Sequence, residues 1–139
     1  METFNIDLLT YKRLCCLEPS AAPRNVAGHN VSATSINVTW EAPDLVDHNG
    51  VIVNYTIYYQ SVGEDFLDNI LRTERVGFAA TEAVLTGLKE YVEYNISVSA
   101  STSAGEGPRS SFVITRTAEA GNSRNSFNMN RTNKELFIL

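Results

Sequence analysis

The chain has 139 residues, a length that holds one domain of ordinary size and a small surplus. With 43% hydrophobic and 19% charged residues, the composition is that of a globular protein and not of a disordered chain. No apolar run approaches the roughly 18 residues of a membrane span, and two cysteines are too few for a disulfide-stapled miniprotein. The net charge of -5 argues against a nucleic-acid-binding protein.

The composition divides the chain into three zones. Residues 1–18 form an irregular N-terminal flank, residues 19–118 form a patterned domain, and residues 119–139 form an Asn-rich C-terminal tail that we expect to be disordered. The middle zone contains 11 acidic and 6 basic residues, so it carries the whole net charge of -5. Because no basic run offsets this acidic field, heparin-like polymers and nucleic acids are unsuitable partners.

The N-terminal flank does not have the pattern of a clear signal peptide. Acidic residues come early, and Lys12 and Arg13 interrupt the apolar run. Adjacent cysteines close a strained ring when they pair with each other, so Cys15 and Cys16 are unsuited to an intramolecular disulfide. Pairing with another chain, a free thiol pair, lipidation and the absence of any role all stay open for them.

Period-two alternation predicts β-strands through the middle zone, because successive side chains of a strand point to opposite faces. The three clearest segments are Ser35–Trp40, Val51–Gln60 and Tyr94–Ser101. Weaker patterns predict strands at Arg24–His29, Leu71–Val76, Glu82–Leu85 and Ser111–Thr117. Turn signals such as Asn49-Gly50 separate them. Seven short strands in about 100 residues predict an all-β, seven-stranded antiparallel sandwich of immunoglobulin-like form.

One face of each strand supplies the predicted core. Its members are Trp40, Tyr55, Ile57, Leu88, Tyr94, Ile96 and Val98. The alternate residues, among them Tyr58, Ser97 and Ser99, are expected to point outward, where polar side chains meet water.

Several motifs together resemble the fibronectin type III domain over roughly residues 19–118. They are Pro19–Pro23, the strand Ser35–Trp40 with its core tryptophan, Tyr55-Thr56-Ile57-Tyr58-Tyr59, Leu85-Thr86-Gly87-Leu88 followed by Glu93-Tyr94, and Ser103–Pro108. The resemblance implies a tyrosine corner at Tyr94, in which the hydroxyl group bonds to the upstream backbone. It also implies a non-enzymatic domain with no cofactor and no metal ion.

The resemblance further implies an extracellular protein-interaction or spacer module of a cell-adhesion or receptor-type protein. Such a module would lie outside the cell or at its surface, as part of a longer chain, and would bind an unidentified protein through loops at the ends of the sandwich. The candidate contact residues belong to the B–C loop, Asp44–Gly50, and the F–G loop, Ser103–Arg109: Asp44, Asp47, His48, Asn49, Glu106 and Arg109. The alternatives are a fragment or splice form of a receptor-type tyrosine phosphatase ectodomain without its catalytic domain, and an intracellular cytoskeletal repeat.

Five N-x-Ser/Thr sequons are candidate N-glycosylation sites. They begin at Asn30, Asn37, Asn54, Asn95 and Asn130. Alternation places Asn37, Asn54 and Asn95 on outward strand faces, where glycans would cover both sheets. We therefore expect partners to meet the two ends and the edge strands of the sandwich.

Nothing in the sequence predicts catalysis or metal binding. His29 and His48 lie in turn-like segments without a recognisable nucleophile. The segment Asp44–Gly50 has oxygen ligands and a glycine, but it lacks the spacing and the closing glutamate of an EF-hand loop. We predict a domain without catalytic, cofactor-binding or metal-binding residues.

Overall fold

The computed structural model describes residues 17–63 and 69–120, which form eight strands and one short 3-10 turn. In chain order the strands are β1 (Arg24–Ser32), β2 (Ser35–Glu41), β3 (Ile52–Val62), β4 (Arg72–Gly77), β5 (Glu82–Leu85), β6 (Glu93–Thr102), β7 (Glu106–Arg109) and β8 (Val113–Arg116). The 3-10 turn, Leu45–Asp47, lies in the loop between β2 and β3.

The strands form two antiparallel sheets. One has the order β1-β2-β5, and the other has the order β4-β3-β6-β7 with β8 also paired to β6. This arrangement confirms the predicted all-β antiparallel sandwich. It differs from the prediction in having eight strands within the described residues, because β7 occupies a segment that the sequence predicts as a loop.

The additional strand follows from the length of β6, whose 10 residues pair with β7 and β8 in succession. Between β7 and β8, Ser110 makes the hydrogen bonds to β6 in place of a paired strand residue. Its N–H donates to the carbonyl of Val98 at 2.8 Å, and its hydroxyl accepts from the N–H of Val98 at 3.0 Å. The side chain thus satisfies a backbone group that the interruption would otherwise leave unpaired.

All seven predicted core residues are buried between the sheets, together with Ile36, Val38 and Leu85. Trp40 and Tyr55 meet with ring centroids 5.5 Å apart and tilted planes, a favourable aromatic arrangement. Burial raises the pKa of the Tyr55 phenol. The hydroxyl oxygen of Tyr94 accepts a hydrogen bond from the N–H of Lys89 at 2.9 Å, which is the tyrosine corner.

The outer face of the five-stranded sheet is less wet than alternation predicts. Ser97 and Ser99 are fully buried, and Tyr58 is only 8% exposed. The expectation that this face meets water was wrong at its centre, where short side chains of β6 lie between longer ones on neighbouring strands. The Arg109 guanidinium lies 3.5 Å from the centre of the Tyr58 ring and covers it.

At one open side of the sandwich, β1 approaches β8 closely at Gly28. A Cβ atom at this position would lie 2.2 Å from the Thr115 hydroxyl oxygen, so any larger residue would have to displace the Thr115 side chain. The glycine therefore allows the two sheets to approach where the strand order leaves them unjoined.

Several sequence expectations fall outside the described residues. Cys15, Cys16 and Asn130 belong to these parts of the chain, as do most of the N-terminal flank and of the C-terminal tail.

Candidate functional site

The two loops that the resemblance implies as contacts meet at one end of the sandwich. The β2–β3 loop and the β6–β7 turn are joined there by residues 17–20, which we call the N-terminal strap. The N–H of Leu17 donates to the carbonyl of Asn49 at 3.0 Å, and the Thr102 hydroxyl donates to the carbonyl of Leu17 at 2.7 Å. One short segment thus ties both loops together.

Further contacts fix the strap in place. The N–H and the hydroxyl of Ser20 both donate to Asp47, to its carbonyl oxygen at 2.8 Å and to its carboxylate at 2.9 Å. Pro19 is fully buried against Gly107. A Cβ atom on Gly107 would lie 2.6 Å from the Pro19 carbonyl oxygen, so this glycine is required for the close approach.

The β2–β3 loop is shaped by its own hydrogen bonds. The N–H of Asp47 donates to the carbonyl of Asp44 at 2.8 Å, and the N–H of His48 donates to the carbonyl of Leu45 at 3.3 Å. The His48 Nε2 atom lies 2.7 Å from the Pro43 carbonyl oxygen, which holds the imidazole against the backbone. Asn49 has a φ of +52°, a left-handed conformation that asparagine tolerates better than most residues.

This fixed loop presents two adjacent aliphatic side chains to solvent. Leu45 is 85% exposed and Val46 is 84% exposed, both on the 3-10 turn. We call this pair the apolar tip. Val51, at the end of the same loop, is also exposed. Single exposed aliphatics are ordinary, but an adjacent pair on a hydrogen-bonded turn is suited to contact with a partner.

The contact residues that the sequence predicts in this loop are polar or charged and not aliphatic. The resemblance implies Asp44, Asp47, His48 and Asn49 as contact residues because they belong to the B–C loop, yet all four make contacts within the molecule. Asp44 pairs with Arg24 at 2.8 Å, and the amide of Asn49 donates to the carbonyl of Glu18 at 3.1 Å. In the sequence, the feature that could have identified the apolar tip is a pair of adjacent aliphatic residues within an otherwise polar turn segment.

The charged residues nevertheless give the apolar tip an acidic surrounding. Four carboxylates lie in the strap and in or beside the loop, on Glu18, Glu41, Asp44 and Asp47. Arg24 is the cation that pairs with two of them, with Asp44 at 2.8 Å and with Glu41 at 3.9 Å. A partner with a positively charged rim would therefore be favoured over one with a negative rim.

The predicted contact residues Glu106 and Arg109 do not lie in a loop, which corrects the sequence expectation. They begin and end β7. The hydroxyls of Tyr58 and Ser99 both donate to the same carboxylate oxygen of Glu106, while Arg109 covers the Tyr58 ring. Both residues therefore hold β7 on the sheet.

These contacts shift the pKa values of Tyr58 and Glu106. Burial raises the pKa of Tyr58, and its hydrogen bond to the Glu106 carboxylate raises it further. Burial alone would raise the pKa of Glu106, but the hydrogen bonds from Ser99 and Tyr58 and the positive charges of Arg109 and Arg75 outweigh it. The pKa of Glu106 is therefore lowered, and the carboxylate is the stabilised form.

The four sequons within the described residues differ in their surroundings. Asn30 is exposed on β1, whereas Asn37, Asn54 and Asn95 are half-buried on their strands. The side-chain nitrogen of Asn37 donates to the Glu82 carboxylate at 3.2 Å.

The opposite end of the sandwich contains a different set of contacts. Thr117 is buried, and its hydroxyl accepts from the N–H of Val92 at 3.0 Å and donates to the carbonyl of Lys89 at 2.7 Å. Arg116 pairs with Glu93 at 2.8 Å and lies 4.9 Å from the centre of the exposed Tyr91 ring. The hydrogen bond to Glu93 raises the pKa of Arg116.

Among residues 17–63 and 69–120, no group of three or more His, Cys, Asp or Glu side chains is placed to hold a metal ion. In that same part of the chain, no helix is long and apolar enough to cross a membrane.

Comparison with curated proteins finds relatives that are far longer than this chain. Receptor-type tyrosine-protein phosphatase F of Danio rerio is 43% identical over 107 residues, and protein sidekick-2 of Mus musculus is 40% identical over 102 residues. Each match covers 73% of the chain and 5% of the relative. The chain therefore spans about one twentieth of the length of these two proteins.

Solved structures show the same fold. The FN5 domain of Drosophila Lar is 30% identical with a TM-score of 0.59, and the match covers 73% of this chain and 99% of that domain. An fn3 domain of human contactin 1 is 27% identical with a TM-score of 0.65, covering 76% of this chain and 84% of the other. The family model of the fibronectin type III domain matches residues 21–116. The chain belongs to the fibronectin type III domain family.

Proposed function

We propose that this chain is an extracellular protein-interaction and spacer module of a cell-adhesion or receptor-type protein, and that it binds its protein partner through the apolar tip. The domain of this family is itself non-catalytic. The observation that carries the proposal is the exposure of Leu45 and Val46 on a turn fixed by hydrogen bonds. A receptor-type relative at 43% identity supports the cell-surface setting.

The backbone that carries the apolar tip is preorganised for binding. Full burial of an exposed aliphatic side chain contributes about 1.5–3 kcal/mol, so the two residues of the apolar tip together can supply much of a moderate affinity. The hydrogen bonds within the loop and to the strap already hold the backbone, so little loop ordering opposes binding. The acidic surroundings then favour partners with a positive rim and speed their approach.

The test uses the full chain as a soluble multimer, applied to cells that each display one defined membrane or matrix protein. We expect at least one displayed protein to bind the wild type, and we expect the double variant L45S/V46S to bind it at least tenfold more weakly. The matched control is Val84→Ser, which removes an aliphatic side chain that is 54% exposed on the edge strand β5. It should bind like the wild type.

Two results would contradict the proposal. Equal binding by the wild type and by L45S/V46S would show that the apolar tip is not the contact. The absence of binding to every displayed protein would argue against an interaction role and leave only the spacer role.

A second candidate function is that the chain is part of a receptor-type tyrosine phosphatase ectodomain. The 43% identity to receptor-type tyrosine-protein phosphatase F favours it. The 40% identity to protein sidekick-2 supports in the same way a different full-length protein, one related to sidekick-2. Sequencing full-length transcripts that contain residues 21–116 decides between them, since a phosphatase parent would carry a catalytic domain in the same reading frame.

A further inference from the structure

A second exposed apolar patch lies on the outer face of the five-stranded sheet, away from the apolar tip. It consists of Ile114 on β8, which is 63% exposed, and Phe112, which is 68% exposed. Val113 between them packs against the core, so alternation places Ile114 and Phe112 on the outside. An aliphatic and an aromatic side chain next to each other expose an apolar surface that is suited to being covered.

Asn95 is the nearest neighbour of this patch in the strand register. It pairs with Ile114 of β8 on one side and with Gln60 of β3 on the other. Side chains directly opposite each other in an antiparallel pair have Cβ atoms about 4.5–5.5 Å apart. In the part of the chain that the structure describes, the side-chain amide group of Asn95 makes no hydrogen bond. Asn95 also begins the sequon Asn95-Ile96-Ser97.

The other sequons do not share this combination. Asn54 faces Gly77 and Ser101 across its two neighbouring strands, which offer no apolar surface. Asn37 lies opposite one exposed aliphatic residue, Val84, but its nitrogen donates to a carboxylate. The strand partner of Asn30 is Ile36, which is buried.

We propose that Asn95 carries an N-linked glycan whose first N-acetylglucosamine ring lies on Ile114 and Phe112. This rests on the proposed function, because the sugar donor, a polyprenyl-diphosphate oligosaccharide, acts on chains that enter the secretory route. In the transfer, the Asn95 Nδ2 atom bonds to C1 of the sugar, and the bond from C1 to the diphosphate oxygen breaks. The diphosphate keeps the electron pair, and the amide loses one proton to the transferase.

The third residue of this sequon sets when the transfer occurs. Ser97 is fully buried, and its hydroxyl has no hydrogen-bond partner among the described residues. A transferase that must reach this hydroxyl therefore acts before β3 and β6 pair. The same burial supplies a useful variant, since Ser97→Ala removes the sequon and deletes an unpartnered buried hydroxyl while leaving Asn95 unchanged. A folded protein tolerates that change well.

The experiment expresses the full chain in animal cells behind a cleavable secretion signal. Enzymatic removal of N-glycans in ¹⁸O-labelled water, followed by peptide mass measurement, reports the occupancy of each sequon. We expect Asn95 to be occupied. Melting temperatures of the wild type, S97A, I114S and I114S/S97A then test the packing. The glycan should raise the melting temperature by about 4 °C when Ile114 is present and by much less in the I114S background.

An unmodified Asn95 in a secreted chain whose Asn30 is modified would overturn the proposal. So would an occupied Asn95 whose effect on the melting temperature is the same with and without Ile114. Neither result depends on partner binding, whereas the proposed function fails through unaltered binding by L45S/V46S, a measurement that does not depend on Asn95.

Discussion

The two ends of the sandwich are held by different kinds of contact. At the N-terminal end, backbone groups of the strap cross from one loop to the other, and Gly107 lets the strap lie close. At the opposite end, two buried side-chain hydroxyls, those of Tyr94 and Thr117, bind the backbone of the β5–β6 loop. The first arrangement combines backbone and side-chain hydrogen bonds with a glycine that leaves room for the strap, whereas the second rests on two buried side-chain hydroxyls.

The exposed residues of the two ends differ accordingly. The apolar tip is exposed above its hydrogen-bonded loop. The exposed aromatic ring of Tyr91 at the opposite end is accompanied by the guanidinium of Arg116, which also pairs with Glu93. The opposite end also exposes an adjacent aliphatic pair, Ile70 and Leu71, but these are 63% and 47% exposed, so the apolar tip is the pair that gains more from being covered by a partner.

The largest expected effect comes from Gly107→Ala. The added Cβ atom would meet the Pro19 carbonyl oxygen at 2.6 Å, and backbone must move to relieve the contact. We expect a loss of about 3 kcal/mol in the free energy of unfolding. Chemical denaturation measures that loss, and faster hydrogen exchange at the amides of Leu17 and Ser20 locates it.

Gly77→Ala is the matched control for that variant. No atom lies within 4 Å of the Cβ position at Gly77, so this substitution should change stability little. If both variants lower the free energy of unfolding equally, the loss at Gly107 does not come from its close approach to the strap.

A smaller effect is expected from Thr117→Val at the opposite end. Valine has nearly the same shape, but the N–H of Val92 and the carbonyl of Lys89 would each lose the hydrogen bond to the Thr117 hydroxyl. We expect a loss of about 2 kcal/mol, measured by thermal and chemical denaturation. Thr73→Val, at an exposed position of β4, serves as the control, because the Thr73 hydroxyl makes no hydrogen bond within the described residues. If hydrogen exchange at the Leu17 amide also rises, the two ends are not independent.

The smallest effect concerns pH and Glu106, which starts β7 near the N-terminal end. Its pKa is lower in the folded protein than its usual 4.5, so its carboxylate stabilises the fold above that pH, and this stabilisation is lost as pH falls through the folded value. At pH 7, Glu106→Gln should be less stable than the wild type by under about 1 kcal/mol. The difference between the two should shrink steadily as the pH falls below 4.5. A difference that does not shrink with acid would contradict this role.

The fold was predictable from the sequence because its strongest elements alternate cleanly and are long. Ile36, Val38 and Trp40 mark β2, and Tyr94, Ile96 and Val98 mark β6, so both strands and their buried faces follow from period two alone. The tyrosine corner followed from the family resemblance. β7 was missed because Gly107 and Pro108 are turn residues, and its pairing is decided by the length of β6 and by Glu106.

The candidate site was less predictable, since charge alone does not say whether a side chain points to solvent or to its own backbone. Asp47 and His48 look like contact residues in the sequence, but Ser20 and Pro43 engage them. Those partners are 27 and 5 residues away, and only the folded chain brings the first of them close.

The sequence by itself determined the sandwich, its core and its acidic charge, because these depend on local alternation and composition. The tertiary structure decided how far the apolar tip is exposed and which polar groups serve the fold. It did so because the strap, the loop and β7 come from distant parts of the chain, and their hydrogen bonds exist only once both sheets are packed.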